Sequence, residues 1–453
     1  MSWGYDSWMS SPSSSSPRVV SFEEARRLVE LHAEAVRPAE PDTADLLAAS
    51  GRVLAEVIVA DRDFPPFDRA TRDGYAVRAA DLAAVPVLLE VVGEVKAGDW
   101  PEPEASSVAH GQAIGIMTGA PLPAGADAVV MVEHTSFADQ SVEVQPGEAQ
   151  SVEVQRSVEA GENLVSRGAE ARAGQLLLDR GRRLDHAGIA IAAAVGKSRV
   201  RVFQKPRVAV LSTGDEVVEI EARPGPAQIR NSNSFSLAAQ VQNAGGEAVR
   251  LAIAPDERGR LRELIEEGLD CDLLLLTGGV SMGKYDLVEQ VLGELKAEFY
   301  FTGAEIQPGR PVMFGSCDAD TLVRSDGRSA AGARTGVSAP RKKYFFGLPG
   351  NPVSTMVTFE LFARPMIEAL GGQTAQRLIF LRARLKSEIR TKTGLKRFLP
   401  AVLSGEFENA EVELARWQGS GDVAALARAN CYVVIPADRE RIEAGEWVPL
   451  LMR

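Results

Sequence analysis

From residue 207 to residue 362 the chain alternates short apolar runs with amphipathic ones, and this alternation leaves few folds open to it. "RVAVLST" (207–213), 248–253 and 272–277 have the length and the aliphatic content of buried strands. "SFSLAAQVQNA" (234–244), the stretch from about Asp256 to Glu267, and 287–295 repeat apolar residues at helical spacing. In the last of these Leu287, Val288, Val291, Leu292 and Leu295 share one side. "KYFFGLPGNPVSTMVTFELF" (343–362) repeats the order strand, Gly/Pro loop, helix. Strand and helix in turn predict a doubly wound parallel sheet with helices on both faces, a three-layer α/β domain. In such a sheet ligands bind beyond the carboxyl ends of the strands.

Three of those ends share a composition: "STGDEVV" from 212, "TGGVSMGKYD" from 277 and "LPGNPVS" from 348. The second follows four consecutive leucines, so side chains vanish where a core strand stops. Glycines remove Cβ atoms, which lets successive backbone N–H groups point at an anion, and the following helix adds a positive end. Asn351 suits a helix N-cap and Pro352 the first helical position. An anion site at this sheet edge follows. Asp215, Glu216, Asp256 and Asp286 crowd the same rim, where they repel phosphate. They make chemical sense if a hard cation such as Mg²⁺ sits between them and the anion, taking oxygen ligands from both. Single members of the set also read as helix caps or solvated loop acids.

The rest of the chain bounds the class of protein. With 453 residues it is too long for one core and fits about three domains. A net charge of -12 argues against a nucleic-acid surface, which needs clustered Lys and Arg, though an acidic protein can still hold an anion locally. The three cysteines, Cys271, Cys317 and Cys431, form no C-x-x-C, and the four histidines are scattered. That points to a reducing cytoplasm without a zinc site. No run of 18 apolar residues occurs, so no membrane span is expected. "MSWGYDSWMSSPSSSSP" (1–17) reads as a disordered tail. "SFEEARRLVELHAEAV" predicts a helix with Phe22, Ala25, Leu28, Val29 and His32 on one face and a Ser21/Glu24 capping box. Residues 85–145 alternate short β-rich runs with Gly/Pro turns, a small all-β domain in which "SVEVQ" occurs at 141 and again at 151. "LDHAGIAIAAAVG" predicts a close-packed helix of small residues. Residues 324–342 read as a basic, mobile surface loop, and 377–453 as a second β domain.

Six motifs occur in an order that resembles one family: "PPFDRATRDGYAV" (65–77), "IMTGAPLPAGADAVVMVE" (116–133), "STGDE" (212–216), "TGGVSMGKYD" (277–286), "QPGRPVMFG" (307–315) and "GLPGNPVS" (347–354). The family is molybdopterin molybdenumtransferase, the bacterial molybdenum-insertion enzyme, which is similar to the C-terminal domain of gephyrin. The resemblance runs from about Phe22 to the C-terminus. It implies a cytoplasmic homodimer of multidomain subunits: a discontinuous helical linking domain at 18–60 and 160–202, an inserted β domain at 61–159, an α/β molybdopterin-binding domain at 203–372 and a β-barrel-like domain at 373–453.

The resemblance further implies that the enzyme exchanges the adenylate of adenylylated molybdopterin for molybdate, with Mg²⁺, releasing AMP and molybdenum cofactor. Ser212, Thr213, Gly214, Asp215, Gly278, Gly279, Ser281, Gln307, Arg310, Pro349, Gly350, Asn351, Ser354, Arg397 and Ser420 are the implied binding residues. Asp73, Thr118, Glu216, Asp256 and Asp286 are the implied catalytic residues, and Asp215, Glu216, Asp256 and Asp286 the implied metal ligands. Molybdate is a dianion that needs donors, for which Arg310, Ser354, Lys396, Arg397 and Ser420 are candidates. Asp73 and Thr118 would reach the partner subunit's site. A molybdopterin adenylyltransferase and acceptor molybdoenzymes are implied partners. The sequence departs from the family pattern at Gln307 and Arg310, where Lys is common, at Ala169, where an acid is common, and at Arg72 beside Asp73. A non-catalytic pterin-binding scaffold is the alternative reading, and a nucleotide pyrophosphatase is disfavoured by the motifs outside the α/β domain.

Overall fold

The computed structural model describes residues 18–100, 107–137, 150–279, 287–318, 342–375 and 377–453. Helix α1 (Phe22–Ala35) opens it, with the Ser21 hydroxyl accepting from the Glu24 amide at 3.1 Å. The expected capping box is half formed, because the Glu24 carboxylate turns outward to Arg27 at 2.7 and 2.8 Å. Ala25, Leu28, Val29 and Ala33 bury the helix in the core of the α/β domain, far along the chain.

The inserted domain is one six-stranded sheet. Its strands are β1 (Gly74–Val77), β2 (Val87–Val95), β3 (Gln112–Ile116), β4 (Ala128–Met131), β5 (Thr135–Phe137) and β6 (Ser151–Val154), in the order β4-β1-β3-β2-β6-β5. The second "SVEVQ" supplies β6, antiparallel to β5; the first lies outside the described residues. Gly74 is fixed by strand spacing: a Cβ there would lie 1.9 Å from the Val130 carbonyl oxygen of β4.

Around this insertion the chain leaves and re-enters one small unit. Pro41–Asp45 pairs with Arg199–Phe203 and Ile58–Val59 with Leu176–Leu178, and Leu54, Ile58, Leu178, Leu184 and Val202 share a core. Helix α2 (His186–Ala194) is capped by Asp185, whose carboxylate accepts from the Gly188 amide at 2.8 Å. It packs closely on one side only, through Gly188 and Ala192, while Ala187, Ala190, Ala193 and Ala194 are exposed.

The α/β domain follows: β7 (Arg207–Ser212), α3 (Ser232–Asn243), β8 (Glu247–Arg250), α4 (Arg258–Gly268), β9 (Leu273–Thr277), α5 (Leu287–Glu294), β10 (Glu298–Phe301), β11 (Met313–Asp318), β12 (Lys342–Leu348), α6 (Pro352–Thr358) and α7 (Arg364–Leu370). The sheet order is β8-β7-β9-β12-β11-β10. The period-two alternation of side chains splits each buried strand between two cores. Val208, Val210, Leu273 and Leu275 meet α1, α3, α6 and α7, whereas Ala209, Leu211, Leu274 and Leu276 meet α4 and α5. The four leucines are therefore shared by the two faces. The sheet is not wholly parallel: β11 runs antiparallel to β12 and to β10. An antiparallel neighbour needs no helical crossover, and the residues between β11 and β12 carry no helical pattern. The basic loop foreseen at 324–342 lies outside the described residues except for Lys342, the first residue of β12.

The last domain closes on itself. Strands β13 (Phe380–Leu385), β14 (Lys396–Ser404), β15 (Glu411–Leu414), β16 (Cys431–Ile435) and β17 (Trp447–Met452) pair in the cycle β14-β15-β13-β17-β16-β14, a five-stranded barrel. Ile306–Gln307 adds to its rim alongside β14. Replacing Gly74 with Ala must separate β1 from β4. We expect it to cost about 1–3 kcal/mol, read as an earlier denaturant transition; an unchanged transition would show that the strands can part freely.

Candidate functional site

Register sets the site. Ser212 stands opposite Thr277 and Thr277 opposite Leu348, so three strands release their loops at one level. Those loops then pack backbone to backbone. At Gly278 (φ 91°) a Cβ would lie 2.4 Å from the Thr213 carbonyl oxygen, and at Gly279 (φ 62°) 2.7 Å from Thr213 Oγ1. At Gly350 it would lie 3.4 Å from Gly278 Cα. Gly278 and Gly279, expected to bare the backbone for an anion, are thus required first by the neighbouring loop, whereas a Cβ at Gly350 would make only an ordinary contact. The Thr213 amide also donates to the Thr277 carbonyl at 3.0 Å, and the Thr277 hydroxyl to the Pro349 carbonyl at 3.3 Å.

A shallow open cleft lies over these loops. Its fourth wall, residues 229–233 and the start of α3, went unread in the sequence, where the helix was begun at Ser234. The signal was there in the run Asn231, Ser232, Asn233, Ser234, a cluster of helix-capping types. Asn231 caps α3, accepting from the Ser234 amide at 3.1 Å and from the Ser212 hydroxyl at 2.9 Å. Asn233 Nδ2 donates to the Gly350 carbonyl at 2.7 Å and to Thr277 Oγ1 at 3.0 Å. Asn233 Oδ1 and Thr213 Oγ1 are buried without a protein partner.

Asp215, Glu216 and Asp256 converge on one rim, all exposed. Asp215 Oδ1 accepts from the Asp256 amide at 3.0 Å, and the Glu216 carboxylate folds over Gly214, 2.5 Å from where a Cβ would stand. Partial burial, then the charges of Asp215 and Glu216, raise the pKa of Asp256. The donor chemistry suits a hard cation, yet among the described residues no three acids are spaced to hold a metal. Asp286 and Ser281 lie outside the described residues.

A second set of candidates gathers where the barrel meets the α/β domain. Gln307 and Arg397 are register partners. Arg397 is 8% exposed; it donates to the Lys392 carbonyl at 2.8 Å, its Nε has no partner, and burial lowers its pKa. The Ser420 carbonyl accepts from the Val353 amide at 2.9 Å, seating the 419–422 turn on the start of α6 beside buried Ser354. Gln307 and Arg310 are exposed. Asn351 is the N-cap residue of α6 but its side chain makes no capping bond, which leaves its amide exposed above the turn. Lys396 drops out as an anion donor, since it is ion-paired with Glu23 and lies 4.6 Å from the Phe22 ring.

Asp73 and Thr118 meet on the surface of the inserted sheet. The Thr118 amide and hydroxyl donate to Asp73 Oδ1 at 2.6 and 2.8 Å, in that order of influence holding its pKa below the usual range. Their bonds stay within that domain. Arg72 is exposed beside them. Ala169 is exposed in a turn where Arg167 pairs with Asp63 at 2.7 Å and Arg69 with Glu170 at 3.1 Å.

A three-layer α/β domain with an anion-friendly cleft, an inserted β sheet and a closing barrel defines a multidomain molybdopterin-binding class. The comparisons agree along the chain: residues 20–196 match the MoeA N-terminal region (domain I and II), 209–369 a probable molybdopterin binding domain, and 382–452 the MoeA C-terminal region (domain IV). The molybdopterin molybdenumtransferase of Nostoc sp. is 33% identical over 91% of this chain and 88% of that protein. That of Bacillus subtilis is 31% identical over 88% and 87%. Two crystal structures of the molybdopterin biosynthesis MoeA protein from Pyrococcus horikoshii cover 96% of this chain and 99–100% of theirs, at 32% identity with TM-score 0.65 and 28% identity with TM-score 0.72. The chain belongs to the MoeA family of molybdopterin molybdenumtransferases.

The loop packing makes a paired expectation. Gly278→Ala should destabilise the α/β domain by about 1–3 kcal/mol, through both its left-handed φ and the Thr213 carbonyl. Gly293→Ala, in α5 with nothing within 4 Å of the new Cβ, should instead stabilise it by about 0.5–1 kcal/mol. Equal shifts in denaturant melts of the two variants would refute the packing account.

Proposed function

We propose that this protein inserts molybdate into adenylylated molybdopterin and releases AMP and molybdenum cofactor. The observation that carries the reading is a cleft over the loops that end β7, β9 and β12, lined by Gly278, Gly350 and Glu216, with Asp256 and Asp215 close enough to Glu216 for their charges to interact. The Thr213 and Gly214 amides are spent on the Thr277 and Ala254 carbonyls, so the phosphate oxygens are assigned to the loops after β9 and β12. The acid side offers a carboxyl group with a raised pKa, suited to taking a proton from the water that opens the phosphoanhydride. A retained acid rim supports turnover over a non-catalytic pterin scaffold.

Mg²⁺ belongs to this reading. The described acids are not spaced to hold it as a set of three, so single carboxylates such as Glu216 are its candidate contacts, and when bound it would neutralise charge on the phosphate oxygens. Molybdate is assigned to the junction of Ser354, Arg310, Arg397 and Ser420, where buried Arg397 lacks a carboxylate partner among the described residues. The protein is read as cytoplasmic: Cys271, Cys317 and Cys431 are free thiols, and among the described residues no helix is long and apolar enough to cross a membrane. It is read as a homodimer in which the exposed, preformed Asp73–Thr118 pair serves the cleft of the other subunit.

Purified protein given adenylylated molybdopterin, Mg²⁺ and molybdate should release AMP only when molybdate is present. Asp256→Asn should slow this release by about 10²–10⁴-fold while AMP binding holds or tightens, since a negative charge near phosphate is gone. The raised pKa of Asp256 means that activity falls on acidification from a pH above the ordinary carboxylate range. Asp215→Asn removes one cause of that shift and should move the acid limb to lower pH; an unmoved limb would exclude Asp256 as the titrating group.

The dimer is tested by complementation. Asp73→Ala and Asp256→Asn subunits, each inactive alone, should recover about a quarter of wild-type activity when mixed at random, because half of the dimers are mixed and each has one intact site. No recovery would place both residues in the service of their own subunit's cleft.

A further inference from the structure

Asn231 and Asn233 stand two residues apart at the same helix start, yet their side chains are in opposite states. Asn231 Oδ1 is satisfied twice, by the Ser234 amide and the Ser212 hydroxyl. Asn233 spends only its donor. Nδ2 lies 2.7 Å from the Gly350 carbonyl, 3.0 Å from Thr277 Oγ1 and 3.4 Å from Thr355 Oγ1. A backbone carbonyl only accepts, so the nitrogen must face Gly350 and the orientation of the amide is fixed. The carbonyl end, Oδ1, is then buried with no partner, on a residue that lines the cleft. A buried acceptor left bare is costly, and at a binding site the natural completion is a donor on the ligand.

We propose that Asn233 is a specificity-determining residue of this cleft, its side-chain carbonyl accepting a hydrogen bond from an N–H or O–H group that the ligand brings in. The inference rests on the reading that the cleft takes adenylylated molybdopterin. That substrate carries donors in two places, the aminopyrimidine edge of the pterin and the ribose hydroxyls of the adenylyl group. Its phosphates, ionised at neutral pH, and molybdate carry only acceptors, so Oδ1 turns them away from this part of the cleft and toward the glycine loops. Asn233 therefore sorts the two ends of the ligand. Through Nδ2 the same side chain ties the loops after β9 and β12 together, which makes it a positioning residue as well.

The two roles separate experimentally, because loss of positioning weakens every ligand whereas loss of the acceptor changes only the ratio between matched ligands. Calorimetric titration of the full chain with AMP and its 2′- and 3′-deoxy forms tests the ribose, and with tetrahydropterin and its 2-desamino form the pterin. In the wild type, one comparison should favour the donor-bearing ligand by about tenfold or more, since the analogue leaves Oδ1 bare. In Asn233→Ala that ratio should fall to within about twofold, whatever the overall loss of affinity. Wild-type ratios below about threefold in both comparisons overturn the assignment, and so does a ratio that survives in Asn233→Ala. The wild-type ratios need no variant, so poor folding of Asn233→Ala leaves the test standing. Failure of the wild type to bind AMP or adenylylated molybdopterin at all is a different result, and overturns the proposed function itself.

Discussion

Everything at the site depends on the register of three parallel buried strands. Ser212, Thr277 and Leu348 stand side by side, and a slip of one residue in any pair would turn its apolar side chains to the wrong core. Val208 and Val210 must face α3 while Ala209 and Leu211 face α4, and the same holds for the alternate leucines of β9. Two cores therefore lock one register, and the register delivers three loops to one level. The loops can occupy that level because Gly278 lets its backbone approach the Thr213 carbonyl and Gly279 the Thr213 hydroxyl.

The outer domains are tied to this arrangement through the helix that starts at its third loop. Between α6 and α7 the chain makes a π-helical turn at Phe359–Ala363, which frees carbonyl groups from the α-helical ladder. Arg26 of α1 donates to one of them, Leu361 O, at 2.5 Å, and is itself paired with Glu30. The barrel holds the other end of the helix, with the Ser420 carbonyl on the Val353 amide. The N-terminal helix and the C-terminal barrel thus grip the same element from opposite ends.

Much of this was legible in the sequence. Strands and helices of the α/β domain are long, periodic and bounded by Gly or Pro, so local pattern and tertiary packing agree. The motif order identified the family, and of the four acids read onto one rim Asp215, Glu216 and Asp256 stand close together while Asp286 lies outside the described residues. What was hidden depended on contacts between distant segments. Nothing local to "RRLVELHAEAV" says that α1 belongs to the core of a domain beginning near residue 203. Lys396 reads as a free cation until Glu23 folds onto it. The antiparallel run of β11 was missed because a strand's direction is set by its connection, not by its residues. Asn233 was missed for a different reason: a polar cluster before a helix reads as capping, and only coordinates show that one of its two asparagines has an acceptor to spare.

The acid rim and the anion site are less opposed than they look from the sequence. Burial first, and then the charges of Asp215 and Glu216, raise the pKa of Asp256. On the proposed function, an elongated ligand with anionic oxygens at one end and donors at another would lie with its donors toward Asn233 and the bond to be broken toward the acid rim.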